Sequence, residues 1–416
     1  MHEYMKLPNG VRVVYEHMPY MRSASVGIFV GVGSRYEKKA ENGSAHYIEH
    51  MLFKSTAKHS AEEMAYITDG IGGQINAYTT REHTCFYAKV LDTHLSTAID
   101  LLCEMFFDCA FDNDEAISER SVIMEEIGMY ADTPEDLCFE NLMQGSFKGA
   151  LGRPVLGTPK TLSTMTGDGL KEYKEKHYTA GNIIISLCGS FTDEHLKQIE
   201  REFSVLDKSK RSTMRKAEYA PFFVSKKKRT EQNQFCISFP SLPVRSEKRF
   251  ALDLMNTAFG GGVSSRLFQN IREKHGLCYS VYSFRSCFED TGMLTIATGV
   301  NKDTEMKALS LISDEIKRFV DSGISQEELN RGREQAKSSI VMGLESTSAR
   351  MLKLGGAMLL QGKCRTTDET LESYDQVSCE DVLDLARETF DFSKISISAL
   401  GKTESCEDYL KAMGVL

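Results

Sequence analysis

No stretch of this chain is apolar and uncharged over the ~20 residues that a membrane-spanning helix needs, which argues against an integral membrane protein. A basic excess is also missing. Fifty lysines and arginines face 59 acidic residues, for a net charge of −9, and this disfavours a general nucleic-acid binder. Lys226-Lys227-Lys228-Arg229 is a local basic run, and a run this short ordinarily forms a solvated face. The 11 cysteines include no C-x-x-C pair, so they read as reduced, mostly buried thiols of a reducing compartment. Residues Met1-His2-Glu3-Tyr4-Met5-Lys6 show neither a basic-then-apolar signal nor an Arg-rich leader, and a cytoplasmic location, or a chain already processed, is expected. Tryptophan and low-complexity tracts are absent. What remains is 416 residues that are 41% hydrophobic and 26% charged. That balance is globular, and the length buries a sizeable core spread over two to four domains.

The chain repeats itself. Thr166-Gly167-Asp168-Gly169-Leu170, followed by the β-rich run from Asn182 to Gly189, aligns without a gap on Ser378-Cys379-Glu380-Asp381-Val382 and the run from Lys394 to Gly401. Each copy reads as an N-capped helix, a short link and a strand ending in glycine. Upstream, Asp92-Thr93 opens an apolar helical pattern through Ala98, Leu101, Leu102 and Phe106. At nearly the same offset, Asp303-Thr304 opens another through Ala308, Leu311, Ile312, Ile316 and Phe319. Two matches about half a chain apart predict two similar domains. The polar stretch from Leu206 to Gln234 reads as a surface linker between them. A turn at Pro8-Asn9-Gly10, a strand over 25–31 and a helix over 45–53 begin the first half, and the alternation that follows fits a layered αβ fold.

His46-Tyr47-Ile48-Glu49-His50 carries the chemistry. Positions i and i+4 share one helix face, so two imidazoles can chelate one ion. Glu49 is placed to act as general base toward the attacking water. Asn42-Gly43-Ser44 offers helix caps just before the motif. A catalytic zinc site needs a third protein ligand and an open position. The helix of the second half, over 247–258, contains no histidine, so one Zn2+ per chain is expected. The other histidines show no ligand spacing.

Downstream lies Glu119-Arg120-Ser121-Val122-Ile123-Met124-Glu125-Glu126, and with H-x-x-E-H this pattern resembles the pitrilysin/insulinase family, the inverted zincins. Gly72-Gly73-Gln74-Ile75-Asn76-Ala77-Tyr78-Thr79 resembles that family's active-site edge strand. Gly152–Thr158, His177–Asn182, Arg266-Leu267-Phe268 and Arg272–Val281 also resemble it, so the likeness spans essentially the whole chain. Its length is similar to the short-chain branch, which includes the mitochondrial processing peptidase beta subunit and bacterial processing proteases. The resemblance implies an α+β fold of two homologous αβ domains, each an antiparallel-rich sheet packed with helices, forming half of a clamshell. Residues 1–212 would be the catalytic zinc-binding domain, 213–230 a linker and 231–416 the homologous domain without a metal site.

The resemblance further implies Glu126 as third metal ligand beside His46 and His50, with Glu125 the neighbour it could be confused with. Glu119 would support catalysis. An extended peptide substrate would pair with the edge strand at Asn76 and Ala77. Arg272 and Tyr279 would donate to the developing oxyanion. Asp136 and Glu140 would meet a substrate arginine, although a plain solvated acidic face fits them equally well. The implied enzyme is a zinc metalloendopeptidase acting on unfolded peptides or leader segments inside a chamber, as a homodimer or a heterodimer. The alternative is a non-catalytic or partner-dependent subunit of a heterodimeric processing peptidase.

Overall fold

A computed structural model of the chain describes residues 2–416. It divides into two compact units, each built from three segments. The first holds residues up to Ile127, Arg153–Arg215 and Met342–Thr366; the second holds Gly128–Gly152, Lys216–Val341 and Thr367–Leu416. The strands of the first unit are β1 (Glu3–Lys6), β2 (Arg12–His17), β3 (Ser23–Val30), β4 (Gln74–Thr79), β5 (Thr84–Leu91) and β6 (Ile183–Gly189). Those of the second unit's five-stranded sheet are β7 (Phe223–Lys227), β8 (Asn233–Ser241), β9 (Cys278–Cys287), β10 (Gly292–Val300) and β11 (Ser396–Gly401), and a short antiparallel pair, Phe147–Lys148 with Glu218–Tyr219, lies apart from it. The helices that build the site and cover the sheets are α1 (Ser44–Met51), α2 (Leu95–Asp108), α3 (Asn113–Asp132), α4 (Pro134–Ser146), α5 (Arg249–Gly260), α6 (Glu305–Ser322) and α7 (Thr347–Leu360).

The two large sheets share one topology. In the first the order is β1-β2-β6-β3-β5-β4, and in the second it is β9-β10-β8-β11-β7. Reading inward from each parallel pair, β2-β6-β3-β5-β4 corresponds to β7-β11-β8-β10-β9. Only β2·β6 and β7·β11 are parallel; the other pairs are antiparallel. The repeated sequence patterns fall on matching elements. Thr166 and Ser378 each cap a helix by accepting a backbone N–H, and the strands that follow end at Gly189 and Gly401. Both glycines have positive φ, +121° and +138°, and a Cβ at either would sit 2.3 Å from an oxygen of a neighbouring strand. That conformation and closeness require glycine.

Period-two alternation decides which side chains face which layer. On β3, Ala24, Val26, Ile28 and Val30 join the core under α2, while Phe29 points to the other face. There it meets α7, whose Met351, Leu354 and Met358 pack on Val14, Phe29 and Ile184. Gly355 lets α7 lie directly on the Phe29 ring, because a Cβ would come within 2.1 Å of it. In the second sheet Phe235, Ile237 and Phe239 face the core with α5 and α6, and Cys236 faces α4 beside Leu142 and Met143. Each sheet is therefore covered on one face by a helix distant in sequence: α7 for the first unit, α4 for the second. The continuous division at 213–230 differs from these contact-defined units for that reason.

The stretch expected to be a linker also differs from a loop. Phe223–Lys227 is β7, the edge strand of the second sheet. Its lysines hid the pattern. Charged residues belong on an edge strand, where they block pairing with another chain. Among the described residues no helix is long and apolar enough to cross a membrane.

Candidate metal centre

α1 starts at Gly43, whose φ of +104° suits glycine, and no side chain of Gly43, Asn42 or Ser44 caps it. Glu37 does so instead. Its Oε2 accepts the Gly43 N–H at 2.9 Å and the Asn42 amide at 2.9 Å, and its Oε1 accepts the Ala45 N–H at 2.8 Å. Glu37 is buried. Burial pushes its carboxyl up to about 7, against these hydrogen bonds and Arg153, which hold it down. Tyr47 of α1 is fully buried, with its hydroxyl donating to the Ala116 carbonyl of α3. The two helices are thus pinned together on a dry face, and α1 turns its His46–His50 face toward the carboxylates of α3.

Those carboxylates are Glu119 and Glu126, seven residues apart and so on one face of α3. Glu126 Oε2 lies 3.6 Å from His46 Nε2 and 3.6 Å from His50 Nε2. One ligand atom from each of the three residues lies within 4.8 Å of the other two, a spacing at which one ion can be shared. Glu125 is exposed and turned away. Glu119 Oε1 lies 2.7 Å from His50 Nδ1, and Glu119 Oε2 pairs with Lys54. A carboxylate on the far nitrogen fixes the imidazole tautomer and leaves Nε2 as the donor. Glu49 Oε2 accepts the Thr79 hydroxyl of β4 at 2.5 Å.

The electrostatics suit a cation. Burial and the neighbouring His50 hold His46 down to about 4, so its imidazole is neutral at pH 7. Burial works against protonated His50, yet Glu126 and Glu119 raise it on balance. A bound metal would displace that proton. Glu126 is lowered, by its contact with His50 first. Burial raises Glu119, but Lys54 and His50 bring it below its ordinary value. Glu49 is raised by burial, in part offset by Thr79 and His50. Two imidazole nitrogens and one carboxylate oxygen form a borderline donor set of the kind zinc takes in catalytic sites, and the residues fit that ion.

The remaining expected residues fall in two groups. Asn76 and Ala77 lie on β4, the edge strand of the first sheet, where Asn76 Oδ1 accepts the Ala77 N–H at 2.8 Å. Arg272, Tyr279, Asp136 and Glu140 belong to the second unit. Arg272 lies over the Phe268 and Tyr279 rings, at 4.5 and 5.2 Å from their centroids, so these two expected donors sit side by side. Tyr279 is 78% exposed and open to a ligand. Asp136 and Glu140 share α4, and burial followed by Glu135 raises the Asp136 carboxyl.

The sequence profile described as insulinase, peptidase family M16, matches residues 12–159, and that of the peptidase M16 inactive domain matches residues 164–336. The chain belongs to peptidase family M16. A Bacillus subtilis protein named uncharacterized zinc protease YmxG is 41% identical to this M16 chain over 401 residues, covering 95% of this chain and 98% of that one. An uncharacterized zinc protease of Streptomyces coelicolor is 37% identical over 412 residues, covering 95% and 88%. The crystal structure of a peptidase M16 inactive domain from Pseudomonas fluorescens superposes with a TM-score of 0.91 at 19% identity, covering 97% of this chain and 99% of that one. A Helicobacter pylori protease structure gives 0.88 at 20% identity, covering 96% and 99%. These two likenesses speak for the M16 fold alone.

Three residues of this M16 site escaped the sequence reading: Glu37, Lys54 and Thr79. Thr79 closed the edge-strand motif already noted, so its position was visible and its partner was not. Lys54 follows His50 by one helical turn, a spacing that could have suggested it. Glu37 carried no sequence signal, because its role depends on a loop folding back onto the start of α1.

Proposed function

We propose that this chain is a zinc-dependent metalloendopeptidase that cleaves unfolded peptides or leader segments. The observation that carries the reading is the convergence of His46, His50 and Glu126 within 4.8 Å, with Glu49 beside them on α1. His46 Nε2, His50 Nε2 and a Glu126 carboxylate oxygen would hold the ion. Zinc, when bound, supplies Lewis-acid polarisation of the scissile carbonyl and acidifies the attacking water. Glu49 accepts the water's proton and delivers it to the leaving amine. The raised pKa of Glu49 favours the first of these transfers, onto the carboxylate. Thr79 keeps the Glu49 carboxylate oriented, and Glu119 keeps His50 Nε2 pointing inward. The substrate lies extended along β4, its backbone pairing beside Asn76 and Ala77. Arg272 and Tyr279 donate to the developing oxyanion. Asp136 and Glu140 receive a basic substrate side chain. A cytoplasmic dimer with an enclosed chamber completes the proposal.

The test is hydrolysis of a quenched basic peptide library by the wild type and by Glu49→Gln, with zinc measured in both. The expected loss is about 10²–10⁴-fold with unchanged zinc content. Equal rates in zinc-loaded proteins would sink the mechanism. Inactivity of both would point instead to a subunit that needs a partner chain.

A further inference from the structure

The basic run that reads as a solvated face in sequence does not lie on a featureless surface. Lys227, Lys228 and Arg229 line a cavity of about 410 Å³ in the second unit, together with Lys302, Lys402 and Glu404. Five of its eight lining residues are cations and one is an anion, in a chain whose overall charge is −9. We propose that this cavity binds a small anion carrying a chain of phosphate groups.

Four observations support it. First, the cavity opens beyond the ends of the parallel pair β7 and β11, which are in register at Lys227 and Gly401. Ligands of αβ sheets commonly sit beyond the carboxyl ends of parallel strands. Second, the cations are only partly satisfied. Lys228 donates to the Ala131 carbonyl and lies 3.6 Å from Asp132, and Lys302 lies 3.4 Å from Glu404. Among the described residues no carboxylate pairs with Lys227, Arg229 or Lys402.

Third, the duplicated fold supplies an internal control. The first unit has the same parallel pair, with His17 in register with Gly189 as Lys227 is with Gly401. Following that register and the repeat alignment, the residues matching Lys227, Lys228, Arg229, Lys302 and Lys402 are His17, Met18, Pro19, Leu91 and Ser190. None is a lysine or arginine. The architecture therefore does not demand the five cations. Fourth, the volume of this open depression exceeds what a single phosphate fills. Several ammonium groups and one guanidinium around it match a row of phosphate oxygens.

Calorimetric titration of the full chain with sodium tripolyphosphate, at fixed ionic strength, tests this. Saturable one-to-one binding is expected, with sulfate and orthophosphate at least about tenfold weaker. Lys402→Ser and Lys302→Leu copy the first unit's residues, so both should fold. Each should weaken tripolyphosphate about tenfold and leave basal peptide hydrolysis unchanged. A parallel titration with adenosine triphosphate separates the sources: tighter binding identifies a nucleotide-borne phosphate chain, and equal or weaker binding a free polyphosphate. A heat that follows ionic strength without saturating would overturn the proposal. So would affinity unchanged by both substitutions, or binding confined to long polyanions.

Discussion

α1 and α5 hold equivalent places in the two units, and they differ in what they do with polar side chains. Each packs on the outermost strand of its sheet, α1 on β4 and α5 on β9. Each also makes polar contacts with that strand. Glu49 of α1 accepts from Thr79, while Asn256 of α5 accepts the Ser283 hydroxyl at 2.8 Å, and Asp253 pairs with Arg285 and accepts the Tyr374 hydroxyl at 2.7 Å. The second unit meets its carboxylates with local cations. Asp253 has Arg285, and Glu328 has Arg266 at 2.8 Å. At the histidine site of the first unit, Glu119 is met by Lys54, and Glu126 faces two imidazoles. One scaffold thus hosts a site that attracts a cation and a counterpart that has neutralised itself. The fold contributes the helix and the edge strand; a handful of side chains determine whether chemistry follows.

Making α1 resemble α5 should have the largest effect. His46→Leu with His50→Leu should drop zinc to background and peptide hydrolysis by more than about three orders of magnitude, with circular dichroism unchanged. Zinc retained at one per chain would contradict the assigned ligands. The self-neutralised side of the comparison makes a pH prediction. Burial raises the Glu328 carboxyl, but Arg266 and the Ser325 N–H bring it down to about 2, against an ordinary 4.5. The folded value lies below the unfolded one. Its stabilisation is therefore fully present above about pH 4.5 and is lost as pH falls through about 2. Stability measured by denaturant titration across that window should lose much of its slope in Glu328→Gln.

Glu119→Gln should weaken zinc about 10–100-fold, because the far nitrogen of His50 would lose its carboxylate. Competition with a chromogenic chelator reads this directly, and an unaltered affinity would leave Glu119 a bystander. The smallest change is expected from Thr79→Val, about tenfold in kcat with KM and zinc content unchanged. Thr79→Ser should restore the rate. A fall in zinc content instead would mean that Thr79 supports the metal site and not the orientation of Glu49.

His46, Glu49 and His50 were legible in the sequence because their geometry is local: a helix places i and i+4 on one face whatever surrounds it. The duplication was legible too, since helix caps and strand-ending glycines recur at matching offsets and reappear at Thr166 and Ser378, Gly189 and Gly401. Glu126 was reached through family resemblance. Periodicity alone left Glu125 and Glu126 adjacent, and only the docking of α3 against α1 turns one to the histidines and the other to solvent. β7 was misread because an edge strand carries lysines where an interior strand carries valines. The basic run within it was visible, but not its company, since Lys302 and Lys402 arrive from remote parts of the chain.

By itself, the sequence determined the duplicated αβ plan and the helix that sets His46 and His50 on one face. Both follow from short-range rules of spacing, capping and alternation that hold wherever the segment lies. The tertiary structure alone decided that Glu37 caps α1, that Glu119 holds His50 with Lys54 behind it, that Thr79 holds Glu49, and that α7 and α4 cover sheets distant in sequence. The reason is physical. A hydrogen bond or packed face between remote segments depends on the three-dimensional path of everything between them, and no local pattern of residues encodes that path.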